Sequence, residues 1–171
     1  MPRQTTIEHI LEFAGGLDGI DVYVLRQGLQ IASLHRQGEQ VVENDLAGWG
    51  LTARQIEIME SLFHNLDGTM TPADLADEVS LSRSAMTSTL DCLEKLGHVV
   101  RAPHPTDRRM IAISLTAEGR EFIRGRLPER YQRFCRVMGS LSANERAVML
   151  RAHRKIIHFL AQNLAEAGKQ S

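Results

Sequence analysis

The chain has 171 residues, of which 43% are hydrophobic, 5% aromatic and 24% charged. This balance is that of a globular domain with extensions, and the scarcity of aromatics favours aliphatic helix packing over a β-sandwich core. Basic and acidic residues nearly cancel, at 20 against 21, so any surface that binds nucleic acid must be local.

The composition also argues against a membrane or secreted protein. No run is long and apolar enough to cross a bilayer, and the first residues lack the apolar core of a signal peptide. The two cysteines, Cys92 and Cys135, are too few for a disulfide framework. The sequence therefore predicts a cytoplasmic protein that makes no contact with membranes.

Residues 1–17 are predicted to form an N-terminal arm. Thr5 and Glu8 have the spacing of a capping box, which predicts a short helix through Phe13. The glycine-rich residues 15–19 interrupt that helix. The segment is either a partly ordered tail or an arm that packs on a partner subunit.

Residues 18–50 are predicted to hold a dimerisation helix and a connector. A helix over residues 20–37 carries apolar side chains on more than one face, which indicates burial on more than one side. Gly28 would let a second helix approach closely. Such a helix is typical of an interface between two subunits.

Three further helices are predicted before residue 97, each with its own start signal. The caps are Thr52 with Gln55 in a capping box, Thr71 followed by Pro72 at the first helical position, and Ser82. Gly97 ends the third of these helices. The short second helix, a tight turn and the longer third helix have the layout of a helix-turn-helix.

A hairpin follows the third helix. Residues 99–102 and 110–115 are strand-like, and a charged loop over residues 103–109 joins them, with paired arginines near its tip. A hairpin in this position is the wing of a winged helix-turn-helix, whose loop lies against the minor groove of DNA. Residues 51–116 are therefore predicted to form a winged helix-turn-helix DNA-binding domain.

The helix that begins at Ser82 has a polar and an apolar face. The polar face carries small side chains: Ser84, Thr87, Ser88 and Asp91, with Arg83 nearby. Small polar side chains let a helix lie deep in a groove and bond to phosphates and base edges, although a plain solvent-facing surface has the same composition. The face predicted to meet the core consists of Ala85, Thr89, Leu90, Cys92, Leu93 and Leu96.

Residues 117–171 are predicted to form C-terminal dimerisation helices. Thr116 caps the first, and Ser142 with Glu145 opens the last as a capping box. Together with residues 18–50, these helices have more apolar surface than one small subunit can bury. A dimer is the economical solution, and the fold class is mainly α with a small β-wing.

These elements carry motifs that resemble the MarR family of bacterial transcription regulators. The motifs are residues 75–87 (LADEVSLSRSAMT), 93–101 (LEKLGHVVR), 107–109 (DRR) and 115–119 (LTAEG). The resemblance spans roughly residues 20–165. It implies a winged helix-turn-helix homodimer in which N- and C-terminal helices form the dimerisation region. The two winged domains of such a dimer bind a roughly palindromic double-stranded DNA operator.

The resemblance also implies which residues contact DNA. In the reading helix they are Ser82, Arg83, Ser84, Thr87 and Ser88, and in the wing Asp107, Arg108 and Arg109. Arg109 would enter the minor groove, Asp107 would hold the loop or the guanidinium, and Arg108 would meet a phosphate. Many relatives carry arginine where this chain has Ser88, so one strong donor is absent here. Arg83 could take over part of that contact.

Members of the family often bind small aromatic or phenolic carboxylates between the dimerisation helices and the winged domain. The residues predicted to form this effector site are His35, Arg36, Trp49, Arg54 and Met59. An aromatic wall with a cationic group suits an aromatic acid. The alternative is that Trp49 packs the helix junction and Arg54 faces water.

Two other interpretations stay open on the residues alone. Some relatives sense oxidants through a reactive thiolate, and Cys135, at the edge of an apolar stripe, could act in this way. Cys92, predicted on the core face, is expected to be inert. Because Asp91 and Glu94 dilute the positive charge of the reading helix, a winged helix used for protein interaction is the second alternative.

Enzymes and metalloproteins are disfavoured. The sequence contains no phosphate-binding glycine loop, no nucleophile elbow and no metalloprotease signature. His153 and His158 lie five residues apart on a helix, so their side chains diverge rather than converge on a metal. The sequence predicts a DNA-binding repressor that uses no cofactor or metal and is released by a small aromatic effector.

Overall fold

The computed structural model describes residues 6–104, 106–107 and 109–167, with side chains up to residue 163. The helices are α1 (Thr6–Ala14), α2 (Val22–Leu46), α3 (Ala53–His64), α4 (Pro72–Glu78), α5 (Arg83–Lys95), α6 (Ala117–Gly139) and α7 (Ala143–Ala167). The strands are β1 (Thr69–Met70), β2 (Val99–Pro103) and β3 (Ile111–Leu115). A 3-10 turn over Ala47–Trp49 joins α2 to α3. None of the helices in the described ranges is long and apolar enough to cross a membrane.

The helices begin where the capping residues predict. Thr52 and Gln55 form a reciprocal capping box, and Thr71 forms another with Asp74 ahead of Pro72. Ser82 and Thr116 each accept a hydrogen bond from the backbone N–H three residues on, at 3.2 and 2.9 Å. These side chains satisfy amide groups that have no partner within the helix. The predicted cap Thr5 lies outside the described residues.

Helix α2 is longer than the sequence predicts, since it continues to Leu46 rather than ending near Gln37. The residues beyond Gln37 include Gly38 but no proline, and one glycine costs a helix only about 1 kcal/mol. Side-chain contacts one turn apart support this extension, with 3.4 Å between His35 and Glu39 and 3.1 Å between Gln40 and Asn44. The helix therefore runs on until the turn at Ala47–Trp49.

Three antiparallel strands form a sheet in the order β1-β3-β2. Val99 pairs with Leu115 and Pro103 with Ile111, so β2 and β3 form the predicted wing hairpin. Strand β1 was not predicted, because two residues are too few to show an alternating pattern. Its pairing of Thr69 with Ser114 fixes the base of the wing against the start of α4.

The hydrophobic core surrounds α3. Four of its side chains, Ile56, Ile58, Met59 and Leu62, have no exposed surface. They belong to one buried cluster with side chains of six other elements: Leu46 of α2, Leu75 of α4, Met86, Leu90 and Leu93 of α5, Val99 of β2, Ile113 of β3, and Ile123 and Leu127 of α6. Burial of each such side chain contributes about 1.5–3 kcal/mol to the stability of the folded state.

The prediction for the core face of α5 was partly wrong. Met86, Leu90 and Leu93 are buried, whereas Cys92 is exposed and Leu96 is 46% exposed. Met86, Leu90 and Leu93 lie four and three residues apart and therefore share one side of the helix. Cys92 and Leu96 lie to the side of this stripe, on a part of the helix surface that the core does not cover.

The start of α6 packs directly on the backbone of β2. A Cβ atom at Gly119 would lie 2.1 Å from the carbonyl oxygen of His98, which is closer than any real contact. Thr116 strengthens the same junction, because its backbone N–H donates to the His98 carbonyl at 3.1 Å and its hydroxyl to the Gly97 carbonyl at 2.6 Å. The position after Glu118 therefore requires glycine for close approach.

Replacing Gly119 with alanine should lower the free energy of unfolding by about 1–3 kcal/mol, because α6 must move away from β2. The matched control is Gly125→Ala in the same helix, where a Cβ would meet no atom within 4 Å. That control should stabilise the protein by about 1 kcal/mol through helix propensity. Urea denaturation measures both, and equal effects of the two substitutions would contradict the assigned packing.

Candidate nucleic-acid interface

The first half of α5 presents a row of short, exposed hydroxyl side chains. Ser82 caps the helix, and its hydroxyl lies 3.2 Å from that of Ser84. The hydroxyls of Thr87 and Ser88 donate to the carbonyls of Arg83 and Ala85, at 3.0 and 2.9 Å. Each of these oxygens keeps lone pairs that can accept a hydrogen bond. No bulky side chain among these four keeps the helix backbone away from a partner surface.

Two exposed arginines accompany this row. Arg83 lies in the first turn of α5 and Arg109 in the wing loop, and both side chains are exposed. Within the described residues neither guanidinium is held by an ion pair or a side-chain hydrogen bond. Free guanidinium groups can bind phosphate oxygens or enter a narrow minor groove without first breaking another contact.

The wing loop is ordered around Asp107. Its carboxylate accepts a hydrogen bond from the backbone N–H of Arg109 at 2.9 Å, and its carbonyl accepts from the N–H of Met110 at 3.0 Å. The N–H of His104 donates to the Met110 carbonyl at 2.9 Å, which closes the hairpin. Asp107 therefore holds the loop rather than the guanidinium of Arg109. Arg108 lies outside the described residues.

The residues predicted for the effector site do not come together. His35 and Arg36 are exposed on α2, and about 16 Å of helix separates His35 from the end of α2 at Leu46. Arg54 pairs with Glu57 at 2.7 Å and donates to the carbonyl of Val79 at 3.3 Å.

Met59, which was predicted to line the effector site, lies in the hydrophobic core instead. Its side chain has no exposed surface, so no ligand can reach it in this conformation. Its helical spacing with Ile56 and Phe63 indicated this apolar stripe, and the buried cluster takes up Met59 and Ile56.

Arg126 of α6 lies near the ring of Trp49, the one tryptophan of the sequence. Its guanidinium carbon lies 5.9 Å from the centre of the Trp49 ring and 3.7 Å from that of Phe122. Arg126 also donates to the Phe122 carbonyl at 3.2 Å. The spacing of Phe122 and Arg126 could have indicated a pair one helical turn apart. No local pattern connects Trp49 with a residue 77 positions away.

Arg54 lies instead in a different feature, an open groove of about 710 Å³ between α3 and the end of α4. Its lining residues are Arg54, Glu57, Glu60, Ser61, His64, Asn65, Met70, Glu78, Val79 and Ser80. Trp49 and Phe122 do not line it. Arg54 therefore lies apart from the cluster of Trp49, Phe122 and Arg126.

His98 connects this aromatic cluster to the wing. Only 9% of the residue is exposed, its ring lies 4.5 Å from that of Phe122, and its Nδ1 has no hydrogen-bond partner. Burial lowers the pKa of His98 below its usual value, against the opposing effect of Glu118 and with a smaller contribution from Arg126. The imidazole is therefore held neutral beside a neighbouring cation.

The cysteines are both free and exposed, so the expectation that Cys92 lies on the core face is wrong. Cys92 lies on α5 and Cys135 on α6. Among the residues with described positions, no group of three or more His, Cys, Asp or Glu side chains could hold a metal ion.

Comparison with known proteins assigns this arrangement to a family. The model of the MarR family matches residues 49–110. The transcriptional repressor YetL of Bacillus subtilis is 30% identical over 144 residues, which are 84% of this chain and 86% of YetL. The chain belongs to the MarR family. It is a DNA-binding transcriptional regulator and not an enzyme.

Solved structures of MarR-family proteins share the fold. A mutant MarR from E. coli, complexed with operator DNA, superposes with a TM-score of 0.67 at 23% identity, covering 78% of this chain and 95% of that one. BpsR of Bordetella bronchiseptica, whose DNA binding is regulated by 6-hydroxynicotinic acid, superposes with a TM-score of 0.66 at 19% identity. That match covers 75% of this chain and 91% of BpsR.

The environment of His98 predicts a pH effect on stability. Because its pKa is lower in the folded protein than the usual 6.5, the unfolded chain takes up the proton first. The free energy of unfolding should therefore fall as the pH drops below about 6.5. His98→Phe should reduce this loss, since phenylalanine cannot be protonated and fits beside Phe122.

Urea denaturation at pH 7.5 and pH 5.5 measures the effect. The control is His153→Phe, which changes an exposed histidine of α7. That control should retain the pH dependence of the unmodified protein. An unchanged pH dependence in His98→Phe would contradict a buried, neutral His98.

Proposed function

We propose that this MarR-family protein is a homodimeric repressor, released from a palindromic operator by a small aromatic acid. The observation that carries the proposal is the pairing of two features. One is a reading helix with short hydroxyl side chains; the other is a wing loop that Asp107 holds, with the guanidinium of Arg109 free. Such a helix fits a major groove, and such an arginine fits the adjacent minor groove.

The dimer is inferred from α7. No described side chain of this 25-residue helix is buried within the single chain. Its exposed apolar side chains are Val148, Met149, Leu150, Ile156, Ile157, Phe159 and Leu160. A long helix is stable in water mainly when its apolar face packs on another surface. Helices α2 and α6 also carry exposed apolar side chains, such as Ile31, Leu34 and Phe134, that lack a packing partner within the single chain. A second copy of the chain would supply the missing surface.

The mode of regulation is inferred from relatives. YetL, the relative at 30% identity, is a transcriptional repressor, and the E. coli MarR structure contains operator DNA. A two-fold symmetric dimer places two reading helices on successive major grooves, about 34–36 Å apart. The operator should therefore contain two inverted half-sites.

The effector class is inferred from the cluster of Trp49, Phe122 and Arg126. These three residues combine aromatic surface with a guanidinium whose contacts, among the described residues, are with two rings and one carbonyl. An aromatic carboxylate could stack on the rings and pair with Arg126. BpsR is regulated by such a compound, 6-hydroxynicotinic acid. Binding here would act on the junction of α6 with the turn between α2 and α3.

The DNA-binding proposal is tested with a duplex that the unmodified protein selects from a random-sequence library. Arg109→Ala should weaken binding of this duplex at least tenfold and reduce the slope of log affinity against log salt by about one. The variant should remain a dimer by sedimentation. Fluorescence anisotropy measures the affinity at several salt concentrations.

The matched control is Arg154→Ala, which removes an exposed arginine of α7. It should leave affinity and salt dependence unchanged. Undiminished affinity of Arg109→Ala would reject the role of the wing. A footprint on the selected duplex without two-fold symmetry would reject the dimeric operator complex.

The effector proposal uses Trp49, since it is the only tryptophan in the sequence. Addition of 6-hydroxynicotinate or salicylate should change its fluorescence and dissociate the DNA complex. Arg126→Met keeps the apolar stem and removes the charge, so it should weaken this response about tenfold or more. Arg124→Met, two residues earlier and exposed on α6, is the control. A fluorescence change without DNA release would reject effector action, and no response to either acid would reject the site.

A further inference from the structure

The side chain of Arg101 in β2 bridges the wing to the reading helix. One terminal nitrogen lies 2.7 Å from the Asp91 carboxylate and the other 2.5 Å from the Glu94 carboxylate. Asp91 and Glu94 are three residues apart on α5 and therefore share one face. The Arg101 side chain is 25% exposed, less than the side chains of either partner. The guanidinium thus lies between the strand and the helix.

This contact reduces the repulsion between the carboxylates of the reading helix and the phosphates of DNA. Helix α5 carries Arg83 and Lys95 against Asp91 and Glu94, so its own side-chain charges cancel. Carboxylates near a DNA backbone are repelled by the phosphates. Arg101 places a positive charge directly against both carboxylates. Asp91 and Glu94 consequently oppose DNA less than their sequence positions imply.

The same contact fixes the geometry of the wing. Strand β2 is one arm of the hairpin whose loop holds Asp107 and Arg109. A planar guanidinium that bonds through two different nitrogens constrains direction as well as distance. Strand β2 is therefore held in one orientation relative to α5, close to the base of the loop.

We propose that Arg101 is a positioning residue for DNA binding. By pairing with Asp91 and Glu94 it makes the wing and the reading helix dock on DNA as one body, and it offsets part of the negative charge that would repel phosphates. This inference rests on the proposed contact of Arg109 with the operator. Arg101 itself does not need to touch DNA, because its donors are directed at the two carboxylates.

A double-mutant cycle with Arg109 tests the proposal on the duplex selected by the unmodified protein. Arg101→Gln alone should reduce affinity about tenfold, because the wing no longer holds Arg109 in place. In the Arg109→Ala background the same change should cost about threefold or less, since the wing contact is already absent. Equal losses in the two backgrounds would mean that Arg101 acts independently of Arg109 and would overturn its role as a positioning residue for the wing.

Two further measurements separate positioning from other effects. In the free protein, Arg101→Gln should increase amide hydrogen exchange in β2 and the wing loop, which loss of a phosphate contact would not do. Arg101→Lys should retain part of the affinity, because an ammonium keeps the charge but cannot reproduce the planar fork. It also replaces Arg101→Gln in the cycle if that variant does not fold.

The control is Arg124→Gln, which breaks the 2.6 Å ion pair with Glu121 on α6. It should not change DNA affinity in either background. Affinity of Arg101→Gln equal to that of the unmodified protein would overturn the positioning role while leaving the proposed function intact. Failure of the unmodified protein to select any duplex would instead reject the proposed function.

Discussion

Burial of one face of α3 is the constraint on which the remaining structure depends. Ile56, Ile58, Met59 and Leu62 have no exposed surface, and the elements that cover them come from both sides in the sequence. Helices α4 and α5, which form the helix-turn-helix, pack on α3. Strand β3 of the wing and the C-terminal helix α6 also pack on it. The helix-turn-helix and the wing are therefore positioned by apolar contacts with α3.

Arginines of α6 connect this core to the rest of the chain. Arg126 lies 5.9 Å from the ring centre of Trp49 in the turn after α2, Arg130 pairs with Glu60 of α3 at 3.0 Å, and Arg133 pairs with Asp45 near the end of α2. Their spacing of four and three residues puts them on one side of α6. A ligand that competes for one of them would act on the helix that joins the wing to the proposed dimer contacts. The proposed effector site thus lies on the same helix that would carry its effect to the wing.

Local signals predicted the fold well, because caps and breakers act over a few residues. The capping residues Thr52, Thr71, Ser82 and Thr116 all start helices in the structure. Errors arose where an outcome depends on distant partners. The exposure of Cys92 depends on which face of α5 the core covers, and the partner of Trp49 is 77 positions away. The pairing of Arg101 with Asp91 and Glu94 could not be predicted for the same reason, since it requires the hairpin to fold back on α5.

The close contact between Gly119 and the backbone of His98 fixes the start of α6 relative to β2. This helix of 23 residues is about 34 Å long, and its first turn packs so closely on β2 that no Cβ fits at Gly119. A change of about 5° in the direction of the helix at that end would displace its other end by about 3 Å, so the packing at Gly119 helps to set where the end of α6 lies. A ligand in the proposed effector site, beside Phe122 and Arg126, would therefore act close to this junction of α6 with β2.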